Sequence, residues 1–244
     1  MLKRFWGWRW WIRLPLIVVG LILLGGCGYI GLILYSDRLS DSNRYIRRWV
    51  NDPDSRPGLR TVREPCGEAP FVLPSDGFIG LLWNDPAAPY NVFNRHTGID
   101  IFGDGAEGEV PIYAVYGGYL TRLSDWVSTV IIEHDDPLNP GESIFTYYTH
   151  MASGDGEESY VADDFPPGTM RVRVEQGTLL GYQGTYSGRG FPIALHVHLS
   201  IVKSDENGEF LNESQIGNTL DPSPYFGLPL KYVGGIGRPI RCTQ

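Results

Sequence analysis

The chain has 244 residues, enough for one ordinary domain plus an appendage too small for a second core. Its 31 glycines and 18 prolines, with only 20% charged residues, favour short strands and turns and argue against a helical bundle or coiled coil. The net charge of −8 is unevenly placed: residues 1–13 carry four cations, residues 36–63 carry seven arginines against four aspartates, and residues 64–244 hold −15. A body that acidic repels polyphosphate, which excludes nucleic acid as a partner.

Residues 1–13 read as a basic tail, expected on the cytoplasmic side. Leu14 to Tyr35 follow as 22 uncharged residues, and a helix of that length spans the ~30 Å hydrocarbon core of a bilayer. Residues 14–35 are therefore read as a single-pass transmembrane anchor. Trp6, Trp8, Trp10 and Trp11 crowd its first flank, where indoles favour the headgroup level. A rival reading takes Leu24-Gly25-Gly26-Cys27 as a lipoprotein signal ending at Cys27, but apolar sequence continues through Ile30, Leu32 and Leu34. Arginines on the far side balance the N-terminal cations, so charge does not set the orientation.

Residues 36–65 read as a stalk or linker. Leu39, Ile46, Trp49 and Val50 stand at helical spacing, and Asp52-Pro53 and Arg56-Pro57-Gly58 end that pattern. Residues 66–244 read as the functional body. Its runs Ile112–Tyr116, Thr129–Ile132, Ile144–Tyr148, Met170–Val174 and Leu195–Val202 are rich in β-branched and aromatic residues, with several glycine- or proline-bearing turns between them. The expected fold class is all-β, an antiparallel sheet, sandwich or barrel, behind an N-terminal transmembrane helix. Cys66 and Cys242 stand at the two ends of this body, where a disulfide would tie its termini. In the chain-entropy model so long a loop is worth about 5 kcal/mol. Such a bond places the body in an oxidising, extracytoplasmic compartment.

Five histidines carry the chemistry: His96, His134, His150, His196 and His198. In His196-Val197-His198 the alternation puts both imidazoles on one face of a strand. His96 and Asp100 would lie ~13 Å apart on a straight strand, and a turn at Thr97-Gly98 would bring them together. Two histidines and one aspartate make a mixed N/O donor set that leaves a tetrahedral zinc one open position, as catalytic sites do. His150 closes the Tyr147-Tyr148-Thr149 strand, and by itself reads as structural. His134 reads as a solvated turn residue. The glycine run Gly184 to Gly190 lacks the Gly-Lys-Ser/Thr ending of a phosphate loop and reads as a flexible loop.

In order, His96-Thr97-Gly98-Ile99-Asp100, Val110 to Val115 with Gly117-Gly118, Tyr148-Thr149-His150-Met151, Gly181 to Gly184, and His196-Val197-His198 resemble the lysostaphin-type, or LytM-like, peptidoglycan zinc metalloendopeptidases. The likeness spans roughly residues 70–228 and includes the closing Asp221-Pro222 segment. It implies an antiparallel sheet with a groove, Zn2+ held by His96, Asp100 and His198, and His150 and His196 as catalytic residues flanking the attacking water. It further implies hydrolysis of peptide bonds in peptidoglycan stem peptides or cross-bridges, at the cell membrane with the catalytic domain outside the cytoplasm. The alternative is a non-enzymatic regulator that binds and activates other cell-wall hydrolases, as family members lacking ligands do; here all five motif residues are present.

Two departures stand out. Where the family commonly has His-Leu-His-Phe-Glu, this chain has Ser200 in the last place. Between His150 and His196 lies a long acidic connection, Ala152 to Pro167, with five acids, read as a surface loop or a rim selecting amine-bearing peptides. Asn91 or Asn94, close before His96, could occupy the open metal position in a latent form.

Overall fold

The computed structural model describes residues 10–242. Trp6, Trp8 and most of the basic tail lie outside the described residues. Helix α1 (Trp10–Leu39) contains the apolar stretch Leu14–Leu32, of mean hydropathy 2.1 and none of it buried. Leucine and isoleucine side chains are exposed all round it. It is the helix, among the described residues, long and apolar enough to cross a membrane. It runs unbroken through Cys27, which is exposed and unpaired.

Helix α2 (Ser42–Asn51) has one apolar face, as its spacing predicts. That face does not wait for a membrane. Trp49 is 2% exposed and stacks on Phe78 with ring centroids 5.5 Å apart, and Phe102, Leu59, Tyr45 and Ile46 complete the cluster. Around it, Ser42 Oγ donates to Asp85, Asn43 Nδ2 donates to the Ala88 carbonyl at 2.9 Å, and Arg56 Nη1 pairs with Asp104 at 2.7 Å. Thr61 then bridges to Gly77. The segment expected to be a stalk therefore folds onto the body from Ser42 onward, because Trp49 and Ile46 bury more favourably against Phe78 and Phe102 than they would in solvent.

The body is all-β and antiparallel. Its strands are β1 (Phe78–Ile79), β2 (Ile99–Phe102), β3 (Pro111–Tyr113), β4 (Gly118–Thr121), β5 (Val130–Asp135), β6 (Ser143–Thr149), β7 (Val172–Val174), β8 (Leu179–Tyr182), β9 (Val197–Lys203) and β10 (Thr219–Leu220). The main sheet runs β1-β2-β9-β6-β5-β4-β7, with β10 on the far end of β9, and β3 pairs with β8 as a small second layer. A short helix α3 (Ser223–Phe226) follows β10. Alternation sorts the two faces of the main sheet. Val130, Ile132, Ile144, Tyr148, Leu199 and Ile201 face the core with Ile112 of β3 and Leu180 of β8. Ile131, Phe145 and Val202 face the other way, under Trp126, Tyr147, Phe210 and Leu211. Cys66 and Cys242 are joined, their Cα atoms 5.4 Å apart across 176 residues of sequence.

His134 departs from expectation. It lies on β5, 1% exposed, and not in a solvated turn. Its Nδ1 sits 2.9 Å from the Gly117 carbonyl and its Nε2 2.7 Å from Thr146 Oγ1. A neutral imidazole has one N–H, and only Nδ1 faces an obligate acceptor, so Nδ1–H donates to Gly117 and Nε2 accepts the Thr146 proton. The Tyr148 hydroxyl lies 3.1 Å from Thr146 Oγ1 and accepts from the Val115 amide. Burial pushes the His134 pKa down to about 4, with the Gly117 bond and Asp135 opposing it.

Candidate metal centre and catalytic cleft

Three neighbouring strands assemble the site. In the β2–β9 register Asp100 stands opposite His198, and in the β6–β9 register His198 stands opposite Thr149, the residue before His150. Five residues spread over 102 positions of sequence are brought together by that strand order. Gly98 supplies the bend before β2, and a second demand makes glycine necessary there: a Cβ would collide with the Leu199 carbonyl of β9.

His96, Asp100 and His198 converge. His96 Nε2 lies 3.0 Å from Asp100 Oδ1 and 3.0 Å from His198 Nδ1, and that Nδ1 is 2.9 Å from the same carboxylate oxygen. All three residues are buried, at 0, 5 and 6% exposure. Burial would raise the Asp100 pKa, but His96, His196 and His198 outweigh it and hold the carboxyl well below its ordinary range. His96 donates Nδ1–H to the Leu82 carbonyl at 3.0 Å, which leaves the Nε2 lone pair aimed inward. Two imidazole nitrogens and a carboxylate oxygen, all within 4.8 Å of one another, form a donor set that could hold a metal ion. His198 Nε2, facing away from the cluster, is buried without a hydrogen-bond partner. That is where the ring proton must sit when Nδ1 serves as a ligand, so the donors fit a cation.

His150 and His196 flank the cluster. Their ring centroids are 4.6 Å apart, and His196 Nε2 is 3.8 Å from Asp100 Oδ1. The glycine-bearing loop expected to be merely flexible has a definite task. The Tyr186 carbonyl accepts from His150 Nδ1–H at 2.7 Å, and the Ala194 carbonyl accepts from His196 Nδ1–H at 2.7 Å. Both rings are thereby held with Nε2 as the free acceptor. Burial, then the nearby His196 and His198, pushes the His150 pKa down to about 3, and burial lowers that of His196 against the pull of Asp100. His150 has a left-handed backbone, φ 78°, a conformation that costs a residue with a side chain about 1–3 kcal/mol. The strand ends on that kink, directly after Thr149.

The cleft has a volume of about 360 Å³. Its walls include residues that carry no sequence motif. Tyr90 packs against the His96 ring at a tilt, with centroids 4.9 Å apart, and burial followed by the Asp100 charge raises its pKa, so its hydroxyl stays protonated. Phe102 stacks on His196 at 4.9 Å. Asn43 and Ile46 of α2 form part of the wall, so this helix borders the site. Nothing in the spacing of Tyr90 or α2 announces this, since each reaches the cleft through packing.

Asn91 does not reach the metal donors. Its Oδ1 accepts from the Phe93 and Asn94 amides at 2.9 and 3.1 Å, closing its own turn. Asn94 lines the cleft. The acidic connection is folded rather than loose: Val161 and Phe165 are buried in the core, Asp155 accepts from Ser153 Oγ and the Glu157 amide, and the buried Arg122 guanidinium holds the Phe165 carbonyl and Ser159 Oγ.

No protein-family model matches the chain, and the curated proteins contain no significant relative. Among solved structures the chain is similar to the catalytic domain of the antimicrobial peptidase lysostaphin from Staphylococcus simulans, at 18% identity over 54% of this chain and 79% of that one, TM-score 0.36. It is similar to whole lysostaphin at 18% identity over 61% of this chain, TM-score 0.37, and spans about half, 48%, of that longer protein. A point variant of the catalytic domain of the prophage-encoded M23 protein EnpA from Enterococcus faecalis matches at 23% identity over 63% of this chain and 97% of that one, TM-score 0.35.

Proposed function

We propose that this chain is a membrane-tethered zinc metalloendopeptidase that hydrolyses peptide bonds of bacterial peptidoglycan, in stem peptides or cross-bridges. The observation that carries the reading is the buried convergence of His96 Nε2, Asp100 Oδ1 and His198 Nδ1 beside two imidazoles whose Nε2 atoms are free. It joins the ordered motif series by which the sequence resembles the lysostaphin-type enzymes.

His96, Asp100 and His198 would hold the zinc. Bound there, the ion acts as a Lewis acid on the scissile carbonyl and lowers the pKa of water towards about 7. The remaining work belongs to the chain. His150 and His196, each tied through Nδ1–H to a backbone carbonyl, present unprotonated Nε2 atoms to the attacking water, and one of them takes its proton. That proton returns to the leaving amine. The Tyr90 hydroxyl, which stays protonated beside His96, supplies a donor to the oxygen on which negative charge develops. Phe102, Ile46 and Ile193 give the cleft apolar walls that exclude bulk water from this exchange.

The anchor reading rests on α1, which is apolar on all sides and continues past Cys27 as one helix. With α2 docked on the body two residues after α1 ends, the cleft stays near the bilayer and acts on membrane-proximal wall. The Cys66–Cys242 disulfide supports an extracytoplasmic body.

The test is digestion of purified sacculi by the full chain in detergent with zinc, with new peptide termini identified by mass spectrometry. Cleavage lost in Asp100→Ala and His150→Ala supports the enzyme. Zinc binding without cleavage of any wall type points instead to a regulator of other hydrolases.

A further inference from the structure

The excursion between β9 and β10 carries one residue back to the metal donors. Glu213 Oε2 lies 3.9 Å from His198 Nε2, the buried nitrogen that has no hydrogen-bond partner. Apart from Asp100, it is the carboxylate within 4 Å of His198 among the described residues. The same Oε2 accepts from Thr97 Oγ1 at 3.4 Å, next to His96. Glu213 is held there by a braced loop: Asn212 Oδ1 accepts from the Ser214 amide and hydroxyl at 3.0 and 2.7 Å, Asn218 Nδ2 donates to the Asn212 carbonyl at 3.0 Å, and Lys203 Nζ donates to the Gly217 carbonyl at 2.8 Å. Ser200, two residues along β9 on the His198 face, offers no carboxylate, and its own Oγ is buried without a partner.

We infer that Glu213 is a positioning residue for the metal centre, accepting the Nε2–H of His198 and so fixing which nitrogen of that ring serves as ligand. The inference rests on the metal-site reading above. Its logic is proton accounting. Nδ1 of His198 points at the other donors, so the ligand form of the ring carries its proton on Nε2. A buried N–H needs an acceptor, and Glu213 is in place to be one, either by a small side-chain adjustment or through one bridging water across the 3.9 Å gap. A carboxylate on the far nitrogen of a ligating histidine fixes the tautomer and raises ligand basicity. Since Glu213 comes from outside the motif series, and from a segment between two strands, it is a property of this chain's own excursion.

The experiment measures zinc affinity on the full chain in detergent, by competition with a chromophoric chelator, for the native protein, Glu213→Gln, Glu213→Ala and Glu209→Ala. Glu209 is an exposed acid on the same excursion and controls for loss of charge alone. Glu213→Ala is expected to bind zinc about 10–100-fold more weakly, with Glu213→Gln, which keeps a neutral acceptor, between it and the native protein, and Glu209→Ala unchanged. In the zinc-loaded native protein the His198 Nε2–H should give a slowly exchanging proton resonance that is lost in Glu213→Ala. Equal affinities across the Glu213 series, or a fall in Glu209→Ala matching that of Glu213→Ala, overturns the inference and leaves the metal site standing. Failure of the native chain to bind zinc removes the metal-site reading and the inference with it.

Discussion

Asp100 and His198 stand directly opposite each other on adjacent antiparallel strands, with Asp100 Oδ1 2.9 Å from His198 Nδ1. The pair is formed by β-sheet register, so a rigid element sets its geometry. Metal sites on strands keep their ligand spacing better than sites on loops.

From this it follows that Asp100→Ala removes one of the three proposed zinc ligands while leaving the sheet intact. Zinc retained after dialysis should fall to background, and turnover of wall peptides should drop by on the order of 10³-fold or more, since several kcal/mol of charge stabilisation goes with the ion. Metal analysis beside a peptide-release assay reads both. An Asp100→Ala protein that keeps stoichiometric zinc would remove Asp100 from the ligand set.

His150 makes the opposite separation. It touches no metal donor within hydrogen-bond distance, and its Nδ1–H is spent on Tyr186. His150→Ala should therefore keep zinc near native affinity and lose about 10²–10⁴-fold in kcat with a smaller change in KM. Loss of zinc in this variant would assign His150 to the metal instead.

His134 predicts a pH dependence of stability away from the cleft. Its pKa is about 4 folded, against an ordinary 6.5, because burial disfavours the charged ring. The unfolded chain therefore binds the extra proton between those values, and stability falls as pH drops from 6.5 to 4, by about 3 kcal/mol in all. Above 6.5 this group contributes no slope. Urea unfolding at stepped pH should show that loss for the native protein, and His134→Gln, which can still donate to Gly117 and accept from Thr146, should show a flatter profile over the same window.

Trp49 tests the docking of α2. Its indole is buried against Phe78 and Phe102, and removal of so large a side chain costs about 3–5 kcal/mol. Because Ile46 and Asn43 of the same helix line the cleft, Trp49→Ala should also raise KM, whereas an exposed change on the opposite face, Arg47→Gln, should leave KM unaltered. Thermal melts and steady-state kinetics on the two variants decide this. Equal KM in both would mean that α2 borders the site without shaping it.

Sequence periodicity was enough to place the histidine pair. His198 lies on β9 and His196 directly precedes its first residue, Val197, in extended backbone bridged to Gly184, so the same-face rule for residues two apart relates the two imidazoles without a partner strand being known. The bend at Gly98, the apolar helix α1 and the charge split are likewise local properties, and each was readable from neighbouring residues alone.

The rest depended on contacts between residues far apart in the chain. Whether β2 or another strand lies beside β9, and in which register, decides that Asp100 meets His198 across 98 positions. Local periodicity is the same for every possible pairing. The tautomers of His150 and His196 are set by the carbonyls of Tyr186 and Ala194, which belong to a loop that sequence marks only as glycine-bearing. His134 looks like a polar turn residue until Gly117, just before β4, and Thr146 of β6 supply its two partners. Trp49 and Ile46 have the spacing of an amphipathic helix in either setting. Only the apolar surface of Phe78 and Phe102, assembled by the sheet, determines that the helix buries its face against the body and beside the cleft, because hydrophobic burial is non-directional and takes whatever complementary surface the fold provides.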